Sequence, residues 1–122
     1  MDGSQKLNLM NGLRVQFLQP EFSHKDKRRT ITQLLTSNIK QINVYEANHG
    51  AELGNHFHKE TNEYFYIVRG SLKYNNQITL KKGDIFYPEL GEKHTLKVVS
   101  DKATFMTFLD KSYSQENPDT YV

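Results

Sequence analysis

Apolar residues in this chain cluster in short stretches and rarely recur at helical spacing. Val, Ile, Thr, Tyr and Phe gather at residues 13–18, 30–35, 39–46, 51–58, 63–68, 71–74, 77–80, 84–87, 94–99 and 104–109, with turn-forming residues between them. That pattern predicts about ten short strands in an all-β domain. Asn75 and Asn76 tolerate the left-handed backbone of a tight hairpin, Gly70 permits a bend, and residues 82–84 read as another turn. Without crossover helices an α/β fold is excluded, which leaves a sandwich, jelly roll or barrel.

The run EYFYIV at 63–68 is apolar at successive rather than alternate positions, so both faces of that strand are expected to be covered. The N-terminal arm or a second copy would provide the cover. A homodimer is the expectation, because a chain this short has little material to spare for cladding. Residues 1–36 are expected to form N-terminal strands and an arm, 37–110 the barrel core, and 111–122 a polar tail or an arm laid on the surface.

Composition narrows the picture without redirecting it. A length of 122 residues fits one domain, and 36% hydrophobic with 25% charged residues is ordinary for a chain with a real core. Sixteen Lys and Arg against 14 Asp and Glu give a formal charge of +2, too slight to point to nucleic acid or an anionic membrane. Asp2, Gln5, Lys6 and Asn8 interrupt the apolar residues of the first 15 positions, which therefore lack the pattern of a secretory signal. No later run approaches membrane-spanning length, and a cytoplasmic location is expected. The basic run HKDKRR at 24–29 reads as a solvated loop, with an anion contact as the alternative. Cysteine is absent, so any metal site must use nitrogen and oxygen donors.

Such donors are present. Gly50 is followed after five residues by His56, then His58, then after four residues by Glu63, and after six more by Gly70. Positions i and i+2 of a strand share a face, so His56 and His58 point the same way, and residues 59–62 can return the chain to bring Glu63 alongside. A further donor must come from another strand, and His94, at the end of GDIFYPELGEKH, is the candidate, with Pro88 and Gly91 shaping the turn before it. Three imidazoles and a carboxylate buried together without a purpose would be costly, so they are the expected ligands of one divalent cation. Zn, Fe(II), Mn, Ni, Co and Cu(II) all suit such a set.

These two segments resemble the paired motifs of the cupin superfamily. Residues 50–70 fit the family's first motif at every position; in the second, Gly83, Gly91 and His94 keep the family spacing. Glu89 stands where the family places proline, with Pro88 one earlier, and Val98 replaces a usual asparagine. The resemblance implies a cupin jelly-roll β-barrel with His56, His58, Glu63 and His94 as metal ligands. Residues 39–44, 54–59 and 61–66 further resemble the sugar-modifying cupins related to dTDP-4-dehydrorhamnose 3,5-epimerase and the nucleotide-sugar ketoisomerases. DKRRTI at 26–31 is similar to their Asp-x-Arg-Gly-x-Ile/Phe stretch, which implies Arg28 facing the diphosphate of a nucleotide sugar.

In the 3,5-epimerases the position of His56 is a metal-free base and that of His58 is usually glutamine. An imidazole nitrogen bound to a metal cannot also accept a proton. The full donor set therefore predicts an isomerase or epimerase with the metal as Lewis acid and another group moving the proton. Tyr66, Tyr87 and His49 are the candidate carriers, although the tyrosines also suit core packing and His49 a solvated loop. The alternatives are a non-haem Fe(II) dioxygenase using the same ligands and a non-catalytic module binding a metal or small molecule.

Overall fold

The computed structural model describes residues 12–122. The first eleven residues of the expected N-terminal arm, and with them most of the stretch read for a secretory signal, lie outside the described residues. Eleven strands follow in order: β1 (Val15–Leu18), β2 (Phe22–Lys25), β3 (Thr30–Gln33), β4 (Gln41–Asn48), β5 (Glu52–His56), β6 (Glu63–Arg69), β7 (Ser71–Tyr74), β8 (Ile78–Lys81), β9 (Ile85–Pro88), β10 (His94–Val98) and β11 (Lys102–Leu109). A five-stranded sheet runs β1-β9-β6-β11-β4, a four-stranded sheet β5-β10-β7-β8, and β2 and β3 pair as a separate hairpin. The architecture is an all-β jelly roll, and no helix of the described residues is long and apolar enough to cross a membrane.

Alternation explains which face of each strand builds the core. Ile78 and Leu80 of β8 point in while Thr79 and Lys81 meet solvent; Leu96 and Val98 of β10 do the same around exposed Lys97. Phe65 of β6 stacks on Phe86 of β9 with ring centroids 4.9 Å apart, and Ile67, Leu72 and Tyr74 close the layer between the sheets. Each such side chain contributes about 1.5–3 kcal/mol by leaving water. On the other face of β6, Tyr64, Tyr66 and Val68 are half-buried, and Tyr64 packs on Tyr87 at 5.1 Å. That contact is between neighbours on the same outer face of the sheet.

One strand was not expected from the sequence, and two terminal segments take a definite place. Residues 22–25 form β2, and all eight strand residues of the β2–β3 hairpin are exposed. FSHK lacks the β-branched run that marks β3, TITQ, and the basic run that begins within it therefore looked like loop throughout. At its tip the Asp26 carboxylate accepts from the backbone N–H of Arg28 and of Arg29 at 2.8 and 3.1 Å, a side-chain-closed turn. β1, placed with the arm, is an edge strand of the five-stranded sheet, with Val15 opposite Pro88. The C-terminal segment lies on the molecule, where Tyr121 forms an antiparallel bridge with Phe57.

The expected turns are present. Asn75 and Asn76 adopt φ of 48° and 56° between β7 and β8, and Gly70, at φ 85°, bends the chain between β6 and β7. A Cβ on Gly70 would lie 2.3 Å from the Lys102 carbonyl oxygen, so only glycine fits there.

Candidate metal centre

A bulge in β5 sets the geometry of the site. His56 stands opposite His94 and Gly54 opposite Thr95, leaving Asn55 as the extra residue. Gly54 and Asn55 both take left-handed conformations, φ 94° and 61°. A Cβ on Gly54 would sit 2.8 Å from the His94 carbonyl oxygen, so glycine lets β5 approach β10 at this point. The His56 and His94 rings meet edge to face with centroids 4.8 Å apart, and His58 lies 4.9 Å from His56.

Glu63, the first residue of β6, completes the group from the neighbouring sheet. Its Oε1 lies 3.1 Å from His58 Nε2 and 3.7 Å from His94 Nε2. One donor atom from each of the four residues falls within 4.8 Å of the others. His58 Nδ1 is 2.8 Å from the Asp119 carbonyl and His94 Nδ1 is 3.2 Å from the Glu92 carbonyl. A carbonyl oxygen only accepts, which assigns the hydrogen to Nδ1 in both rings and turns Nε2 toward Glu63.

Charge follows from this arrangement. Burial pushes the Glu63 carboxyl up, but hydrogen bonds from His58 and His94 outweigh it and hold the group down at about 2. For His58, burial opposes the charged ring, yet the bonds to Glu63 and Asp119 win and raise it above its ordinary value. His56 is lowered, first by burial and then by the neighbouring imidazoles His94 and His58, which favours its neutral form. Imidazole nitrogens and a carboxylate at this spacing would suit one divalent cation, with deprotonated Nε2 atoms as its nitrogen donors.

The cluster lies at one side of a cavity of about 640 Å³. Tyr45 and Asn43 of β4 form part of its wall, and the C-terminal segment from Lys111 to Thr120 forms much of the rest. The Tyr45 ring stacks on Phe105 at 4.7 Å, and its hydroxyl pairs with fully buried Thr107, to which Asn43 donates at 3.3 Å. Burial, and then the Glu63 charge, raise the Tyr45 hydroxyl above its ordinary value.

Of the residues singled out in the sequence, the structure brings together His56, His58, Glu63 and His94. Tyr66, Tyr87, His49 and Arg28 are not among the residues lining the cavity. Tyr66 has the opposite strand parity to Glu63, and Tyr87 the opposite parity to inward-facing Phe86, so both point to the outer face. His49 is exposed in the β4–β5 turn, with Nδ1 3.1 Å from the Ser100 carbonyl. Arg28 stands at the hairpin tip, its side chain 76% exposed and 3.3 Å from Asp26. Two residues of the site escaped the sequence reading: Tyr45, detectable only once β4 has a register, and Asp119, in a polar segment with no periodicity.

The fold and its donor set define a small jelly-roll barrel with a nitrogen-and-oxygen ligand cluster. The chain belongs to the cupin domain family, whose model matches residues 43–110. A UDP-2-acetamido-2,6-beta-L-arabino-hexul-4-ose reductase of Pseudomonas aeruginosa is 28% identical, the match covering 80% of this chain and 30% of the reductase. This chain therefore corresponds to under a third of that relative's length. Among solved structures, the capsular polysaccharide assembling protein CapF of Staphylococcus aureus aligns with a TM-score of 0.60 and 22% identity, over 82% of this chain and 33% of CapF. The dTDP-6-deoxy-D-glucose-3,5-epimerase RmlC of Legionella pneumophila, in complex with dTDP-4-keto-L-rhamnose, aligns at 0.69 with 14% identity, over 84% of this chain and 70% of the epimerase. At these identities the structures establish a shared fold.

Proposed function

We propose that this domain is a sugar-modifying isomerase or epimerase acting on a keto-sugar nucleotide, with one divalent cation held by His56, His58, Glu63 and His94. The observation that carries the reading is the convergence of those four donors beside a 640 Å³ cavity, in a fold that also serves a 3,5-epimerase in complex with a keto-sugar nucleotide. A cation bound there supplies Lewis-acid polarisation of a sugar carbonyl. With their Nδ1 hydrogens engaged and Nε2 turned to the cluster, His58 and His94 have no free nitrogen to serve as base.

Tyr45 Oη is a proton-bearing group in the cavity wall that feels the Glu63 charge, held by Thr107 and protonated at neutral pH. It takes the role for which Tyr66, Tyr87 and His49 were candidates. Lys111, also in the wall, is better placed than Arg28 to meet a diphosphate. Exposed Ile42 and Val44 on β4, an edge strand among the described residues, and Phe22 on the hairpin support a homodimer that would cover them.

Untagged protein incubated with Zn or Fe(II) is expected to retain about one equivalent by elemental analysis. In D₂O, without oxygen, it is expected to place deuterium beside the carbonyl of a dTDP- or UDP-4-keto sugar, and Tyr45→Phe to slow that exchange about 10²-fold or more. Protein that retains no metal rejects the cation; oxygen uptake with no deuterium exchange replaces the isomerase with an oxygenase. Light scattering at the mass of one chain would reject the dimer.

A further inference from the structure

We infer that Asp119 is a positioning residue of the metal centre, holding the 57–61 segment and the ring of His58 from the far end of the chain. β5 ends at His56, so strand pairing no longer fixes the backbone when the chain reaches His58. Its carbonyl accepts from Gly91 N–H at 2.7 Å, and the remaining restraint comes from the C-terminal segment. The Asp119 carboxylate accepts three successive backbone N–H groups, those of Lys59, Glu60 and Thr61, at 3.0, 2.9 and 2.8 Å. The same residue's carbonyl accepts from His58 Nδ1 at 2.8 Å.

One residue can present both groups to one loop because its backbone is left-handed, with φ 48°. That conformation costs a non-glycine residue energy and persists where its surroundings hold it. Here they do: Phe57 and Tyr121 exchange backbone hydrogen bonds at 2.8 and 3.0 Å, and their rings stack at 5.5 Å. The Lys59 ammonium lies 4.2 Å from the Tyr121 ring centroid. The carboxylate anchors the loop, the anchor places the carbonyl, and the carbonyl selects the Nδ1–H form of His58. Nε2 is then the donor that faces Glu63. Hydrogen-bond partners of this kind raise metal affinity by fixing a ligand ring before the cation arrives.

The affinity half of the inference rests on the proposed cation site; the ring half does not. The full-length chain carrying Asp119→Ala is expected to bind Zn(II) about 10- to 100-fold more weakly by calorimetry. In metal-free protein, at an alkaline pH where the imidazoles are neutral, ¹⁵N spectra of the His58 ring are expected to change from one Nδ1–H form to a mixture. Asp119→Asn tolerates the left-handed backbone, but its amide offers one accepting oxygen and turns an NH₂ group toward a backbone N–H, so it is expected to recover both signals only in part. Wild-type Zn(II) affinity with an unchanged His58 spectrum in Asp119→Ala would overturn the inference. Loss of the native methyl shifts of Ile67 and Leu72 in that variant would overturn it too, by assigning Asp119 to maintenance of the barrel. Should the wild-type chain bind no Zn(II), the proposed cation fails and the ring spectrum alone decides this inference.

Discussion

His94 and His58 belong to one cluster, yet the chain fixes them by opposite means. His94 lies inside a sheet: β10 pairs with β5 on one side and β7 on the other, and the side chain is 2% exposed. Asn75 reinforces that wall, its Oδ1 accepting from Thr95 N–H at 2.7 Å and its Nδ2 donating to the Lys93 carbonyl at 3.0 Å. His58 stands beyond the end of a strand and depends on two chain-distant supports, Gly91 and Asp119. A ligand in a sheet inherits its position from the cooperative ladder; a ligand in a loop needs dedicated partners, and each partner is a separate point of failure.

The comparison is broken most completely by Glu63→Ala, which removes the group both imidazoles face. Cation binding is expected to disappear by calorimetry and elemental analysis, while the core around Phe65 and Phe86 keeps its native spectrum. Next comes Gly54→Ala, which disturbs only the sheet-held side. The left-handed backbone and the close His94 carbonyl predict a loss of about 1–3 kcal/mol in denaturant unfolding, with weakened cation binding. Unchanged binding in that variant would show that the bulge does not set the ligand geometry.

Acid sharpens the contrast. Glu63, held at about 2 against an ordinary 4.5, contributes stability that is present above about 4.5 and lost as pH falls toward about 2. Asp119 acts with the same sign: burial pushes its carboxyl up, but the N–H groups of Lys59, Glu60 and Thr61 hold it below its usual value. His58, raised in the folded state, stabilises below its ordinary 6.5 and loses that contribution as pH climbs through its raised value. Melting temperatures of the metal-free protein are therefore expected to fall on acidification below about 4.5 and to decline more gently on the alkaline side, where added Zn(II) restores them. A flat profile between pH 2 and 5 would contradict the buried Glu63 pair. The smallest effect is expected from Asn75→Ala, about 1–2 kcal/mol for two partly exposed hydrogen bonds and a left-handed backbone that alanine adopts less readily, with cation affinity nearly unchanged because the ladder still holds His94.

The same contrast separates what was legible in the sequence from what was not. His56, His58 and Glu63 lie within eight residues, and His94 follows a turn marked by Pro88 and Gly91, so local spacing alone brings the donors into view. Tyr45 and Asp119 reach the site through pairings between distant segments, which a pattern read along the chain does not carry. Tyr66 and Tyr87 drew attention as aromatics in strands, but their side is decided by parity against Glu63 and Phe86, and that requires a register. β2 was overlooked because FSHK lacks the β-branched run that marked its equally exposed partner β3, TITQ.

The order of strands in the five-stranded sheet bears on how the molecule is made. Val15 pairs with Pro88 and Gln41 with Leu109, so the sheet closes only when stretches more than 60 residues apart find each other. Contacts of such long sequence separation require slow loop closure, which places folding in the range of about milliseconds to seconds. β11 joins both β4 and β6, and with them the Tyr45 and Glu63 sides of the cavity. The donor cluster is thus expected to assemble late in folding, and rapid-mixing experiments are expected to register cation loading only after the last strand has docked.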